Sequence, residues 1–294
     1  MLTAILGLLT AVTYGAADFF AAIASRKIRV VEVTALASLS GLIVLTVLLP
    51  FMGGTFSGEA FFWGLMGGLS SVVALLCLYA SLALGPISII SPLGALVSAI
   101  VPAVIGVSFL GESFTVLGWV AIAIALVAVV LVGFVPPSSK NGEQVLLPKP
   151  RAIVLAIGAG VGIGIAVSSL ARSPHDSGIA PIIIMRTTAA LLLGAIVLIT
   201  ALRQRKSSTV STRSPITSKI LLTIMGAGAL DAAANIFFTL ASRTGSLTVV
   251  GVLTALYPLG TILLARLVLK EHVATTQKIG VALTLTASLL LALA

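Results

Sequence analysis

The chain has 294 residues, of which 59% are hydrophobic and 9% charged, with a mean hydropathy of +1.24. Water-soluble domains carry about 25% charged residues, so the composition excludes a soluble fold and places the chain in a lipid bilayer. The net charge of +9 does not point to nucleic acid, because the basic residues fall in short joins between apolar runs, where they set orientation in a membrane.

A bilayer core of about 30 Å takes roughly 20 helical residues to cross. That rule predicts ten spans, at 3–24, 31–51, 61–84, 87–110, 114–134, 152–172, 179–202, 219–242, 246–269 and 274–294. The first run contains Asp18, continues to about Ser25 and has no basic residue before it. It reads as a retained helix and not as a cleaved signal peptide. Gly, Pro and charged residues mark the joins, among them Arg26-Lys27, Gly53-Gly54, Gly85-Pro86, Gly111-Glu112, Pro174-His175 and Thr244-Gly245. The Pro-rich stretch from Pro136 to Pro150 separates five spans from five. The division expected is a first repeat at 1–135, a linker at 136–151 and a second repeat at 152–294. The polar stretch Arg203 to Lys219 reads as a surface loop.

An offset of 159 residues superposes Glu112 on Glu271, Met66-Gly67 on Met225-Gly226 and Tyr79 on Phe238. Few residues are identical, so the halves share a pattern of hydropathy and small residues. Five spans is an odd number, which forces the two halves to run in opposite senses. The fold class expected is therefore an all-α polytopic membrane protein with ten transmembrane helices in two inverted five-helix repeats. Such a chain can expose a central site to either side of the membrane in turn.

The charges agree with that inversion. Fourteen of the 17 Lys and Arg lie at the odd-numbered joins or the span ends beside them, from Arg26, Lys27 and Arg29 through Lys140, Lys149 and Arg151 to Arg266, Lys270 and Lys278. The other face has Arg172 and Arg243, and Arg186 is inside a span. The positive-inside rule then makes the odd joins cytoplasmic and both termini extracytoplasmic, in a multi-pass protein of a bacterial inner membrane.

Charges inside apolar spans cost about 2.5–3.5 kcal/mol each on insertion scales, so they face the bundle interior or a wet cavity. Asp18, Arg186 and Asp231 are the cases here. Asp18 is about two turns from Arg26 and Arg29, and a structural pairing with them competes with a gating role. Asp231 and Asn235 share a face of span eight one turn apart, and Arg186 reaches either by depth. This cluster reads as a polar network locking spans seven and eight, or as a border of a substrate cavity.

Small and polar residues recur at helical spacing in span one (Thr3, Gly7, Thr10, Tyr14, Ala17), span four (Ser88, Ser91, Ala95, Ser98, Pro102) and span nine (Thr248, Gly251, Thr254, Pro258, Thr261). Such stripes commonly serve close helix packing. Pro92, Pro102 and Pro258 free backbone carbonyls, which are tolerated where they meet a cavity. Spans four and nine are repeat equivalents, so a matched pair of interrupted helices at a midplane site is expected. The glycines of span six, Gly158, Gly160, Gly162 and Gly164, alternate and do not share one face. Glu112 and Glu271 lie near helix C-termini, where the dipole offers them nothing, and a contact to the following helix is expected. The expected substrate wall is Tyr14, Tyr79, Ser91, Ser98, Asp231, Asn235, Phe238 and Tyr257, with Asp18, Arg186, Pro92 and Pro258 in a gating or structural network.

Catalytic and metal chemistry finds no footing. Cys77 is the only cysteine and lies in an apolar run, and His175 and His272 fall at segment ends, so neither a metal site nor a disulfide is expected. There is no His-Glu-x-x-His or Gly-x-Ser-x-Gly motif, and neither an enzyme nor a cofactor is the expectation.

The repeat layout, with Phe109-Leu110-Gly111-Glu112 and Val268-Leu269-Lys270-Glu271 closing the fourth span of each half, resembles the EamA family of the drug/metabolite transporter superfamily. The resemblance covers nearly the whole chain. It implies a central cavity lined by the first, third and fourth helices of each repeat. It also implies export of amino acids, related metabolites or cationic drugs, and the chain looks like the family's aromatic-amino-acid exporters. Arg186 matches an arginine seen in the second helix of a repeat in this family, whereas Ala35 to Ser40 in the first repeat are uncharged. The expectation is a monomeric secondary exporter of amino acids or related small amphipathic metabolites. The alternatives are a cation, drug or sugar-conjugate carrier and, from another class, a channel or a non-transporting scaffold.

The orientation is tested by fusing a reporter active only in the cytoplasm. It is expected to be dark at Ala294 and bright within Arg203–Lys219; the reverse pattern overturns the orientation but not the inverted repeat.

Overall fold

The computed structural model describes residues 1–82, 84, 87–133, 149–206, 216–268 and 274–293. Among them the chain is all helical, without strands. The first repeat supplies α1 (Leu2–Ser25), α2 (Val30–Met52), α3 (Gly58–Leu82), α4 (Ile87–Phe109) and α5 (Val116–Gly133). The second supplies α6 (Pro150–Arg172), α7 (Ala180–Lys206), α8 (Ser218–Thr244), α9 (Leu247–Thr254), α10 (Pro258–Val268) and α11 (Thr275–Leu293), with one 3-10 turn at His175–Ser177. α9 and α10 are the two pieces of the ninth span. Eight segments are long and apolar enough to cross a bilayer, counting Leu247–Val268 as one. The shorter α5 and the terminal α11 flank them and pack along each other.

Size is distributed inside out. Large apolar side chains such as Val47 (62% exposed), Leu191 (69%) and Leu222 (72%) cover the outside, whereas buried positions are mostly Ala, Gly, Ser and Thr. Lipid tails are as apolar as leucine, so burying leucine gains little, and helices associate by close packing of small residues instead. Many buried hydroxyls are satisfied within their own helices, as when Thr10 donates to the Leu6 carbonyl at 2.8 Å and Ser169 to that of Ile165 at 2.7 Å, and Ser40 reaches across to the Met225 carbonyl of α8 at 2.9 Å.

Most of that packing joins one repeat to the other. α1 lies along α8, α3 along α6, α4 along α6 and α9, and α2 along α7 and α8, whereas consecutive helices such as α1 and α2 or α7 and α8 barely touch. Glycine sets these approaches. Gly15 packs on the Tyr257 carbonyl, with 2.7 Å between its would-be Cβ and Gly260 Cα, and Gly228 lies directly on the Ala37 carbonyl. The alternating glycines of α6 serve two neighbours, which explains why they share no face. A Cβ at Gly160 or Gly164 would stand 2.6 and 2.5 Å from Val97 and Val101 of α4, and one at Gly162 would stand 2.8 Å from Ala74 of α3.

The expected symmetry of the interrupted spans does not hold. α4 continues as one helix through Pro92 and Pro102, whereas the ninth span breaks between Thr254 and Pro258. Around the break, amides bond three residues back, from Leu256 to Leu253, Tyr257 to Thr254 and Gly260 to Tyr257. The tightened turn nests Gly260 and Thr261 against α1, where Thr261 donates to the Gly15 carbonyl at 3.0 Å. α1 offers glycine at that level, and α10 can therefore close in only if its own start is kinked.

The halves meet tightly on the face where α1 begins, hereafter the terminal face. Gly111, at φ 69°, turns the chain after α4 so that Glu112 accepts from the amides of Leu247 and, at 3.0 Å, Thr248. Glu112 thus caps the N-terminus of α9, where a carboxylate is favoured by the helix dipole. This corrects the expected contact to the following helix; Glu271 lies outside the described residues. Beside this cap, Thr3 donates to the Thr244 carbonyl at 3.0 Å, the Ile179 amide to Gly53 at 3.2 Å, and Arg243 to Gly178 at 3.0 Å. Below them Leu45, Leu170, Ile179, Ile182, Phe238, Leu247 and Val250 form an apolar plug.

Two glycines of α8 test the packing. Gly228→Ala inserts a methyl group against the α2 backbone, and overpacking of this kind costs about 1–3 kcal/mol. A clear drop in melting temperature in detergent is expected. Gly226→Ala meets nothing within 4 Å and is expected to match or exceed the parent.

Candidate functional site

Where the small-residue contacts end, a cavity of about 330 Å³ remains at the centre of the bundle. Both repeats line it, through α1, α2, α3, α4, α6, α7, α8 and the α9–α10 break. The apolar plug and the Glu112 cap lie toward the terminal face. Ala21, Thr34 and Ala37, near the opposite ends of α1 and α2, carry the lining toward the other face, which bears the basic joins. Half of the lining residues are Ala, Leu or Val, and the charged groups are on α1, α7 and α8.

Arg186 of α7 and Asp231 of α8 form an ion pair through Nη2 and Oδ2, with side chains 14% and 27% exposed. The pair joins two helices that otherwise scarcely touch, and it faces the cavity on one side. Asn235, one turn from Asp231, donates through Nδ2 to the Asp231 carbonyl at 2.7 Å. Its Oδ1 accepts from the Tyr14 hydroxyl at 2.8 Å, which ties α8 to α1. All four residues are on the cavity wall, so a solute occupying it displaces water from a network already satisfied on most sides. The exceptions are Arg186 Nε and Thr254 Oγ1, both buried without a hydrogen-bond partner among the described residues.

Tyr14, Ser98, Asp231, Asn235 and Tyr257 line the cavity together with Asp18 and Arg186. Ser98 keeps its hydroxyl bonded to the Ala95 carbonyl at 2.8 Å. Phe238 does not belong to this wall: it is fully buried in the terminal-face plug against Leu45 and Leu170. Its helix face suits the cavity, but it sits one turn too near the terminal face. Pro92 is buried within an unbroken α4, and Pro258 opens α10. The side chains of Tyr79 and Ser91 lie outside the described residues.

Asp18 is not paired with Arg26 or Arg29, contrary to the simplest expectation. Arg29 instead binds Glu32 within α2, through Nη2 and through Nε at 3.1 Å, because the chain turns away from α1 after Ser25. Helices α2 and α7 also contribute more than expected, through Thr34, Ala37 and Ser38, and through Met185, Ala189 and Leu193. The signal for α2 was present in Thr34 and Ser38, one turn apart on an otherwise apolar helix. No group of three or more metal-ligating side chains occurs among the described residues.

No curated protein matches the sequence. A crystal structure of another protein superposes with a TM-score of 0.73 over 99% of this chain and 96% of that one, at 15% identity, a likeness of fold alone. The family model for the EamA-like transporter family matches residues 1–134 and again 150–293. With two matched repeats covering nearly all of a bundle built around one shared cavity, the chain belongs to the EamA-like transporter family of the drug/metabolite transporter superfamily.

Proposed function

We propose that the protein is a secondary transporter that moves amino acids or similar small amphipathic metabolites out of the cell by alternating access. The observation that carries this reading is the shared cavity, plugged toward the terminal face and lined by mostly apolar walls with a few polar groups. About 330 Å³ lies at the small end of the range of about 300–1,000 Å³ for ligand pockets, which suits a metabolite-sized solute. With the basic joins cytoplasmic under the positive-inside rule, the plug faces outward and a solute enters from the cytoplasm, the direction an exporter needs. The protein then resides in the bacterial inner membrane with both termini outside. It acts as a monomer, because each cavity is complete within one chain.

A carrier for cationic drugs is the second reading, and Asp18 favours it by adding negative charge to the wall. Counterflow in liposomes tests transport itself. Exchange accelerated by an α-amino acid inside the vesicles is expected. Exchange driven only by organic cations selects the second reading, and flux without counterflow indicates a channel.

The ion pair is expected to serve both structure and transport. Asp231→Ala leaves the Arg186 charge without its partner, which costs roughly 3 kcal/mol in a buried setting and lowers the melting temperature. Replacing both residues, as Arg186→Met with Asp231→Leu, is expected to recover stability while transport stays low. Full transport by the recovered double variant makes the pair purely structural.

A further inference from the structure

The charges on the cavity wall do not cancel. Among the described residues lining it, Asp18 and Asp231 are acidic and Arg186 is the only base. Arg186 is taken up by Asp231, and among the described residues no ion pair or hydrogen bond holds the Asp18 carboxylate. Its backbone is on α1, one turn from Tyr14, so the two side chains share a face. The Tyr14 hydroxyl proton is committed to Asn235 and does not neutralise Asp18. Tyr14 and Tyr257 both lie within coulombic range of Asp18 and line the same space. Asp18 is exposed on the cavity wall, so its carboxylate is free to meet an arriving cation. A carboxylate beside tyrosine rings is also a setting that holds ammonium groups.

A second observation concerns the opposite kind of group. Thr254, at the end of α9, is 7% exposed, lines the cavity and has no partner for its Oγ1. Arg186 Nε, on the same cavity, is likewise a buried donor without an acceptor. The wall therefore offers an unpartnered acceptor on α1, while the unpartnered donor atoms on α7 and α9 are sealed from the cavity.

We propose that Asp18 is the amine-binding residue of the cavity, pairing with the protonated amine of the transported solute. This rests on the transporter reading and narrows its substrate class to amine-bearing solutes. Solutes that have the same carbon frame but no amine are rejected, since they leave Asp18 unpaired and bring a second negative charge beside it.

The test uses the full chain, with binding read as ligand-induced shift in melting temperature and transport as counterflow in liposomes. The probes are matched sets: phenylalanine, phenethylamine and hydrocinnamate, and leucine, isoamylamine and isocaproate. The parent is expected to bind both amines and both amino acids and to ignore the two carboxylates. Asp18→Asn, which keeps the shape and removes the charge, is expected to weaken every amine by about tenfold or more. Asp18→Glu, which keeps the charge, is expected to retain the preference for amines, and it carries the comparison should the asparagine variant not fold. Carboxylates bound as well as amines, no binding by any amine, or amine binding untouched in Asp18→Asn overturns the proposal. So does an Asp18→Asn protein that binds amines normally and has lost only its response to an imposed pH gradient, which makes Asp18 a proton site. Amines bound and carried while every amino acid is ignored leaves the Asp18 assignment standing and removes amino-acid export.

Discussion

Backbone meeting backbone between the two repeats is the constraint on which this molecule depends. In a bilayer, apolar side chains gain nothing by leaving lipid for protein, so helices are held by dispersion at short range and by the few polar bonds they share. Gly15 against the Tyr257 carbonyl, Gly228 against that of Ala37, and the two glycine rows of α6 against α3 and α4 are such contacts. Each works because the residue has no side chain to hold the helices apart. The large residues are left to face lipid, and the interior is built from what is small.

A bundle packed this closely has room for a solute only where its helices stand apart. The cavity lies there, and its polar wall is also what joins helices that lack glycine contacts. Arg186 and Asp231 link α7 to α8, and Tyr14 with Asn235 links α8 to α1. The same groups that a solute meets therefore set the spacing of the helices around it. On the terminal face the halves are held differently, by a carboxylate on the end of a helix dipole. Glu112 belongs to one repeat and the amides of Leu247 and Thr248 to the other, so opening that face means uncapping α9.

The layout of the protein was legible in its sequence because hydropathy and charge act over whole segments. Ten apolar runs, a polar middle and a shift in basic joins need no knowledge of where any side chain points. The wall of the cavity was legible in part. Charged and amide groups in apolar helices have few places to go, and Asp231, Asn235 and Arg186 went there. Phe238 illustrates what a pattern cannot carry. It follows Asn235 on nearly the same face, yet lies in the plug, because depth along the axis and not rotation separates plug from cavity. The break in the ninth span was visible as Pro258, but its absence from α4 was not. Pro92 and Pro102 have the same chemistry, and residue type alone does not separate the helix that breaks from the one that runs on. Asp18 seemed to have partners two turns away, but the turn after Ser25 gives Arg29 to Glu32.

The interleaving of the halves has a consequence for how the protein is made. α3 packs chiefly on α6, and α5 on α11, so a helix of the first repeat enters the membrane before its partner has been synthesised. At about 5–20 residues per second, α5 waits on the order of ten to thirty seconds for α11. During that interval the glycine and serine faces of α1 and α3 are open to lipid and to one another. They are equally open to the second half of a neighbouring chain emerging nearby, which presents the same complementary faces. The boundary near residue 140 is thus a division of the sequence and not of folding. Crowded synthesis favours exchanged pairs in which each chain's first half is completed by another's second.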